Sequence, residues 1–73
     1  MARVAALGED ARIAGFALAG ALIVPAETPD DVRVAWESLP ADVALVVLTP
    51  AAATALAADL DDPAAPLTAV MPA

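Results

Sequence analysis

Two stretches of the chain are apolar at every position, and this feature limits the fold more than any other. Val4 to Leu7 and Val43 to Leu48 contain no polar residue. A strand with one face in water alternates apolar and polar side chains, whereas uniform runs of this length are typical of strands buried on both faces of a parallel sheet. We therefore expect both strands to occupy central positions in such a sheet.

The residue pattern changes after the first run. Gly8-Glu9-Asp10 interrupts it, which predicts a loop. Apolar or small residues then recur at the helical spacing i, i+3, i+4 and i+7, at Ile13, Phe16, Ala17 and Gly20. The sequence predicts a helix from Asp10 or Ala11 to Ala19, with Asp10 as its N-cap and Gly20 as the glycine that ends it.

Two further helices are predicted by a threonine followed by a proline. At Thr28-Pro29 and Thr49-Pro50 the hydroxyl can cap a helix that begins with the proline. Asp31, three residues after Thr28, completes a capping-box spacing. The inner face of the second helix is predicted to carry Val32, Ala35, Trp36 and Leu39, with Pro40 ending it, and that of the third Ala53, Leu56 and Leu60.

The two remaining strands are shorter. Ala21 to Val24 and Leu67 to Met71 are apolar or nearly so, and a proline follows each. The resulting order βαβαβαβ predicts an α/β domain over residues 1–73 with a four-stranded parallel sheet and helices on both faces. Right-handed connections and central first and third strands give the order 2-1-3-4, that of a shortened flavodoxin- or receiver-like domain.

Charge and residue types exclude several classes of function. Ten acids against three arginines give a net charge of −7, which opposes binding to nucleic acid or to an anionic membrane. The sequence has no lysine for a P-loop, no histidine for a nucleophile–base pair, and only one glycine in the first loop, where a dinucleotide site needs GxGxxG. We therefore predict no catalytic residue, no cofactor and no metal, and a protein that is not an enzyme.

Ile13 to Val24 is the stretch that most resembles a targeting or membrane segment. This run has 12 uncharged residues, whereas a span needs roughly 20. A secretory signal would place a basic region before it, but Glu9 and Asp10 offset Arg3 and Arg12. A soluble domain is therefore expected.

The acids Glu9 and Asp10 leave one alternative open. Both follow the first strand, and ligands of parallel sheets bind beyond the carboxyl ends of the strands. The chain could thus be a receiver-like regulatory module that holds a cation or a small ligand there. A phosphoacceptor site would also need an aspartate after the third strand, where Thr49 stands. The structural interpretation is that Asp10 caps the helix and Glu9 is a solvated acid.

The outer face of the first helix is predicted to lack charge. No charged residue occurs from Ile13 to Val24, and surface helices normally carry charges opposite their core face. An uncharged outer face suggests docking onto a partner, although an alanine-rich composition would produce the same pattern. Our candidates for partner contact are Asp10, Ala14, Phe16, Leu18 and Ala21. Trp36 is expected in the core, with partner contact as the alternative.

These residues resemble one family, the F subunit of the V-type (A/V-type) rotary ATPases. The resemblance rests on the opening strand and acidic loop with Gly8 and Asp10, on the element GFALAG at residues 15–20, and on the closing strand APLTAVMP at 65–72. Position 17, often arginine in the family, is Ala17 here. Family members continue into a C-terminal helix that packs on the partner's coiled coil, and the 73 residues match the N-terminal domain without that helix.

The resemblance implies a function without chemistry of its own. It implies a non-catalytic subunit of the central stalk, bound to other stalk subunits such as the coiled-coil subunit. It implies a contribution to the coupling of ATP synthesis or hydrolysis to proton transport. It also implies a cytoplasmic location in the soluble sector of the ATPase, peripheral to the membrane.

Overall fold

The computed structural model describes residues 2–72, in which strands and helical segments alternate along the chain. The strands are Arg3–Gly8 (β1), Leu22–Pro25 (β2), Val43–Leu48 (β3) and Leu67–Val70 (β4). The α-helices are Asp10–Ile13 (α1), Pro29–Glu37 (α2) and Pro50–Ala55 (α3). Two 3-10 segments, Ala14–Ala19 and Asp59–Asp61, follow α1 and α3 respectively.

The four strands form one parallel sheet in the order β2-β1-β3-β4. The predicted α/β class, strand order and central positions of β1 and β3 are therefore confirmed. In a right-handed crossover, the direction in which the chain moves across the sheet to the next strand decides which face the helix covers. The chain moves one way from β1 to β2, so α1 lies on one face of the sheet. The chain then travels in the opposite direction twice, so α2 and α3 lie together on the other face and contact each other.

The core is built mainly on the face that carries α2 and α3. There β1 and β3 direct fully buried side chains toward the two helices, which contribute apolar residues of their own. The buried members of this cluster are Ala5, Leu7, Ala26, Val32, Val43, Val46, Leu48, Ala52 and Leu56. Ile13 is also fully buried but lies outside this cluster, on the face of α1. The two faces of the sheet are thus covered unequally.

Both threonine–proline starts form the predicted caps. The Oγ1 atom of Thr28 accepts the backbone N–H of Asp31 at 3.1 Å, and that of Thr49 accepts the N–H of Ala52 at 3.3 Å. On α2 the predicted inner stripe is correct, with Val32 buried and Trp36 half-buried against the core. The helix ends at Glu37, before Pro40 is reached. Local signals therefore positioned these helix starts well.

The predicted first helix is only partly α-helical. Four residues are α-helical, and Ala14–Ala19 continue as a 3-10 helix. Glu9, not Asp10, occupies the N-cap position, and its side chain makes no cap hydrogen bond. Asp10 is the first helical residue, and its N–H donates to Glu27 Oε2 at 2.9 Å. The carboxylate that satisfies this helix start comes from a distant loop, which local spacing does not reveal.

The third helix is shorter than its predicted inner face, which extends to Leu60. The α-helix ends at Ala55, and a turn leads to the 3-10 segment Asp59–Asp61. The predicted inner face is confirmed, because Leu56 is fully buried and Ala53 and Leu60 are partly buried against the core. Ala52, which was not predicted, is also fully buried.

Candidate docking surface

The 3-10 segment determines which side chains after Ile13 reach the surface. A 3-10 helix rises about 2.0 Å per residue against about 1.5 Å in an α-helix, so six residues span about 12 Å instead of about 9 Å. The added length suits a short connection that must return along the full length of β1 before β2 can begin. Gly15, a weak α-helix former, lies within this segment.

The three-residue period rearranges the predicted faces. Side chains three apart share a row, so Phe16 and Ala19 line one surface. Phe16 is half-buried, whereas Ala17, predicted to lie on the inner face, is exposed. Leu18 points into solvent with 96% of its surface accessible. Among residues 2–72, Leu18 is therefore the most exposed of the large apolar side chains.

Gly20 ends the segment as predicted, in the left-handed conformation at φ 84°. Its N–H donates to the carbonyl of Ala17 at 3.1 Å, and the N–H of Ala21 donates to that of Phe16 at 3.2 Å. This pair of bonds is the Schellman arrangement that closes many helices. It turns Ala21 inward, where it is half-buried, so Ala21 does not share the outer face of Leu18 as predicted.

Half of the sheet on the α1 side carries no helix in the described chain. An α-helix is about 10 Å wide and strands are about 4.8 Å apart, so one helix covers about two strands. The α1 and 3-10 segments pack on β1 and β2, which leaves the same face of β3 and β4 open. We name this area, together with the neighbouring Val4 of β1, the open face. The side chains from β3 and β4 are those of Leu45, Val47, Leu67 and Ala69.

The open face corrects the prediction that β3 is buried on both sides. Val46 and Leu48, on the α2 and α3 side, are fully buried, whereas Leu45 and Val47 are only half-buried. At its margins Val4 is 42% exposed and Leu67 is 76% exposed. Exposed apolar side chains that lie together on one surface mark interaction sites on soluble domains.

The open face and the 3-10 segment meet in a cleft. Its volume is about 590 Å³, and Phe16 and Val47 stand on its two sides. The remaining lining comes from Ala2, Arg3, Val4, Ala19, Gly20 and Ala21. Among the described lining residues Arg3 alone is charged, and its guanidinium donates to both carboxylate oxygens of Asp42 at 2.7 and 3.0 Å.

The Arg3–Asp42 pair affects the titration of both groups. Asp42 accepts hydrogen bonds from Arg3, which lowers the pKa of its carboxyl group, and the same bonds raise the pKa of Arg3. Both side chains are 46% exposed, so the pair contributes little to stability. Its effect on the cleft is to direct the guanidinium toward Asp42, and the cleft thus remains suited to apolar partners.

The acids at the carboxyl ends of the strands have structural partners. The hydroxyl of Thr49 donates to Glu9 Oε1 at 2.5 Å, and Glu27 accepts the N–H of Asp10. The bond from Thr49 is the main reason why the pKa of Glu9 is lowered. Among residues 2–72, no three histidine, cysteine or acidic side chains come together in a way that could hold a metal ion.

The structure separates the five predicted contact residues into two groups. Phe16 and Ala21 line the cleft, whereas Ala14 and Leu18 are exposed and lie outside its lining. Asp10 is exposed at the first turn of α1. The open face itself was missed. The sequence did contain a signal for it. Four strands that are apolar or nearly so are joined by only three helical connections, so one face of the sheet receives a single helix.

The chain fits no model of a known protein family, and no curated protein matches it. Within residues 2–72, the helices are all too short or too polar to cross a membrane. The geometry of the docking surface is therefore the main guide to function.

Proposed function

We propose that the chain is a non-catalytic subunit of the central stalk of a proton-translocating V-type rotary ATPase. In that role it contributes to the coupling of ATP synthesis or hydrolysis to ion transport. The observation that supports this best is the position of the element GFALAG. It forms the exposed, uncharged 3-10 segment that borders the open face, and it is the part of the chain with the most specific resemblance to the F subunit family.

The shape of the open face suits a helical partner. Its width is that of two strands, about the width of one α-helix. A helix of the coiled-coil stalk subunit laid along β3 and β4 would contact Val47 and Leu67, while Leu18 and Phe16 would flank it. Covering this area would complete the second face of the sheet, as parallel sheets usually require.

Under this proposal the chain acts by binding alone. Its strand-end acids hold the fold together, since Glu9 bonds to the buried Thr49 and Glu27 bonds to the start of α1. The protein would be cytoplasmic and would reach the membrane only through the assembled complex. Asp10, which is exposed at the first turn of α1, would pair with a basic side chain of the partner.

Calorimetry with the coiled-coil stalk subunit of the family tests the proposal. We expect association with a Kd of about 1 μM or tighter. Leu18→Glu and Leu67→Glu should each weaken it by about tenfold or more, because burying a leucine side chain is worth about 1.5–3 kcal/mol. Ala57→Glu is the matched control, since Ala57 is exposed beyond α3 on the other side of the sheet.

Two outcomes would overturn the proposal. One is no association with a chain that circular dichroism shows to be folded. The other is equal weakening by all three glutamate variants, which would show that added negative charge, and not the open face, controls association. A divalent-cation titration followed by Trp36 fluorescence tests the regulatory module instead, and a saturable response that Glu9→Gln abolishes would favour that function.

A further inference from the structure

A second cleft lies on the opposite face of the sheet, away from the docking surface. It has a volume of about 620 Å³ and runs between the end of α2 and the segment that precedes β4. Trp36 forms part of one wall, with Leu39 and Pro40 beside it, and Ala65 and Pro66 stand opposite. Val43, at the start of β3, lies at its base. We name it the tryptophan groove.

Three carboxylates line this groove together with its apolar residues. Glu37 comes from the last turn of α2, and Asp59 and Asp62 come from the segment after α3. The groove's lining contains no basic side chain. Asp62 is held in place because it accepts the N–H of Ala64 at 2.9 Å. An aromatic wall beside carboxylates presents two features that attract the same ligand, an organic cation.

The end of α2 adds a third feature. The last carbonyls of a helix carry partial negative charge, which basic residues in the last turn usually offset. In this nine-residue helix the last turn holds Glu37 and no basic residue. A cation bound in the groove would lie at this negative helix end. Three separate features therefore favour positive charge at one place.

We propose that the tryptophan groove binds an arginine-bearing segment of a partner protein. The guanidinium would stack on Trp36 and donate to Glu37 and Asp59. A planar guanidinium can stack and form directed hydrogen bonds together, whereas a lysine ammonium is a hydrated point charge. The groove is on the other side of the sheet from the open face, so this proposal does not depend on the proposed function.

A different protein fits the groove better than a second copy of this chain. The chain has three basic residues, and each already has a partner in the fold. Arg3 pairs with Asp42, Arg33 pairs with Asp30, and Arg12 donates to the carbonyl of Pro72 at 3.1 Å. With a net charge of −7, copies of the chain repel each other, while a basic segment is attracted.

The experiment uses Trp36 as its reporter, because it is the single tryptophan of the chain. The probe is the peptide acetyl-Gly-Arg-Gly-Arg-Gly-amide, titrated at about 0.15 M salt to reduce non-specific attraction. Peptides with lysine or with neutral citrulline in place of arginine are compared. We expect a saturable change in Trp36 emission with the arginine peptide, binding about threefold or more weaker with lysine, and none with citrulline.

Matched variants separate the groove from net charge. Glu37→Gln with Asp59→Asn removes two charges at the groove, and Asp30→Asn with Asp31→Asn removes two at the other end of α2. The first pair should weaken peptide binding by about fivefold or more, and the second by less than about twofold. Circular dichroism checks that both remain folded, and calorimetry of Trp36→Leu should show weaker binding.

Several results would overturn the proposal. If the two double variants weakened peptide binding equally, general attraction between a basic peptide and an acidic protein would explain the binding without a specific groove. Equal affinity for the lysine peptide would remove the stacking argument. Tighter binding of spermine than of the arginine peptide would identify a small polyamine, and not a protein segment, as the better occupant. Absence of any emission change up to about 10 mM peptide, an affinity too weak to be specific, would exclude a site.

Discussion

Gly8, the last residue of β1, lies so close to Thr49, the residue after β3, that no side chain fits between them. A Cβ atom built on Gly8 would overlap with the Oγ1 and Cγ2 atoms of Thr49. The two residues follow the neighbouring pair Leu7 and Leu48, and the N–H of Thr49 donates to the carbonyl of Leu7 at 3.2 Å. Gly8 also has a φ of 152°, which side chains rarely permit.

Substitution of Gly8 by alanine should therefore be strongly destabilising. We expect Gly8→Ala to lower the free energy of unfolding by about 2–5 kcal/mol, because it adds overpacking and backbone strain. Gly15→Ala is the matched control, since no atom lies near the position that its Cβ would take and its φ is not positive; it should raise stability by about 0.5 kcal/mol. Urea denaturation measures both, and equal effects would contradict the structure.

The two capping threonines should differ in importance. Thr49 is fully buried, and its hydroxyl both donates to Glu9 and accepts from Ala52. Thr28 is exposed and makes the cap bond of α2. We expect Thr49→Ala to cost about 2–3 kcal/mol of unfolding free energy, against about 1 kcal/mol for Thr28→Ala.

Serine at each position tests the reason for this difference. Thr49→Ser and Thr28→Ser retain the hydroxyl and should recover most of the loss. Chemical denaturation of the four variants gives the comparison. A larger effect at Thr28 than at Thr49 would contradict the assigned bonds.

The Glu9–Thr49 hydrogen bond should make stability depend on pH. This bond lowers the pKa of Glu9 in the folded state, as do a bond to its own backbone and the charge of Arg12. The stabilisation is therefore fully present above the ordinary pKa of about 4.5 and is lost as the pH falls through the lowered value. The stability difference between wild type and Glu9→Gln should be larger at pH 6 than at pH 3, measured by urea denaturation.

The same comparison in a Thr49→Ala background serves as the control. Without the hydroxyl, the Glu9→Gln difference should change less between the two pH values. A difference that is independent of pH in wild type would show that the carboxylate is not held by Thr49.

Substitutions at two apolar residues between β1 and β2 should have very different effects on stability. Ile13 is fully buried, and Leu18 is almost fully exposed. Ile13→Ala should cost about 2–5 kcal/mol because it leaves a cavity, whereas Leu18→Glu should change stability by no more than about 0.5 kcal/mol. Thermal unfolding of both variants checks this, and a destabilised Leu18→Glu protein would mean that Leu18 packs on its own chain.

The sequence was sufficient for the strands and for the starts of α2 and α3. Val43 to Leu48 was predicted as a strand from its uniform apolar run, and the structure has the same bounds. Thr28 and Thr49 marked helix starts because a cap depends on residues only three apart. The order of the strands followed from right-handed connections and from two runs without polar alternation. These features depend on local chemistry or on general rules of chain geometry.

Tertiary structure alone decided the site. The segment after Ile13 is a 3-10 helix and not the predicted α-helix, and its three-residue period leaves Ala17 at the surface. Glu9 and Thr49 are 40 residues apart, yet they share a hydrogen bond because β1 and β3 end side by side. The open face exists because one helix covers two strands and the described chain places only α1 there. Contacts between distant residues depend on how elements pack, and no local pattern records that.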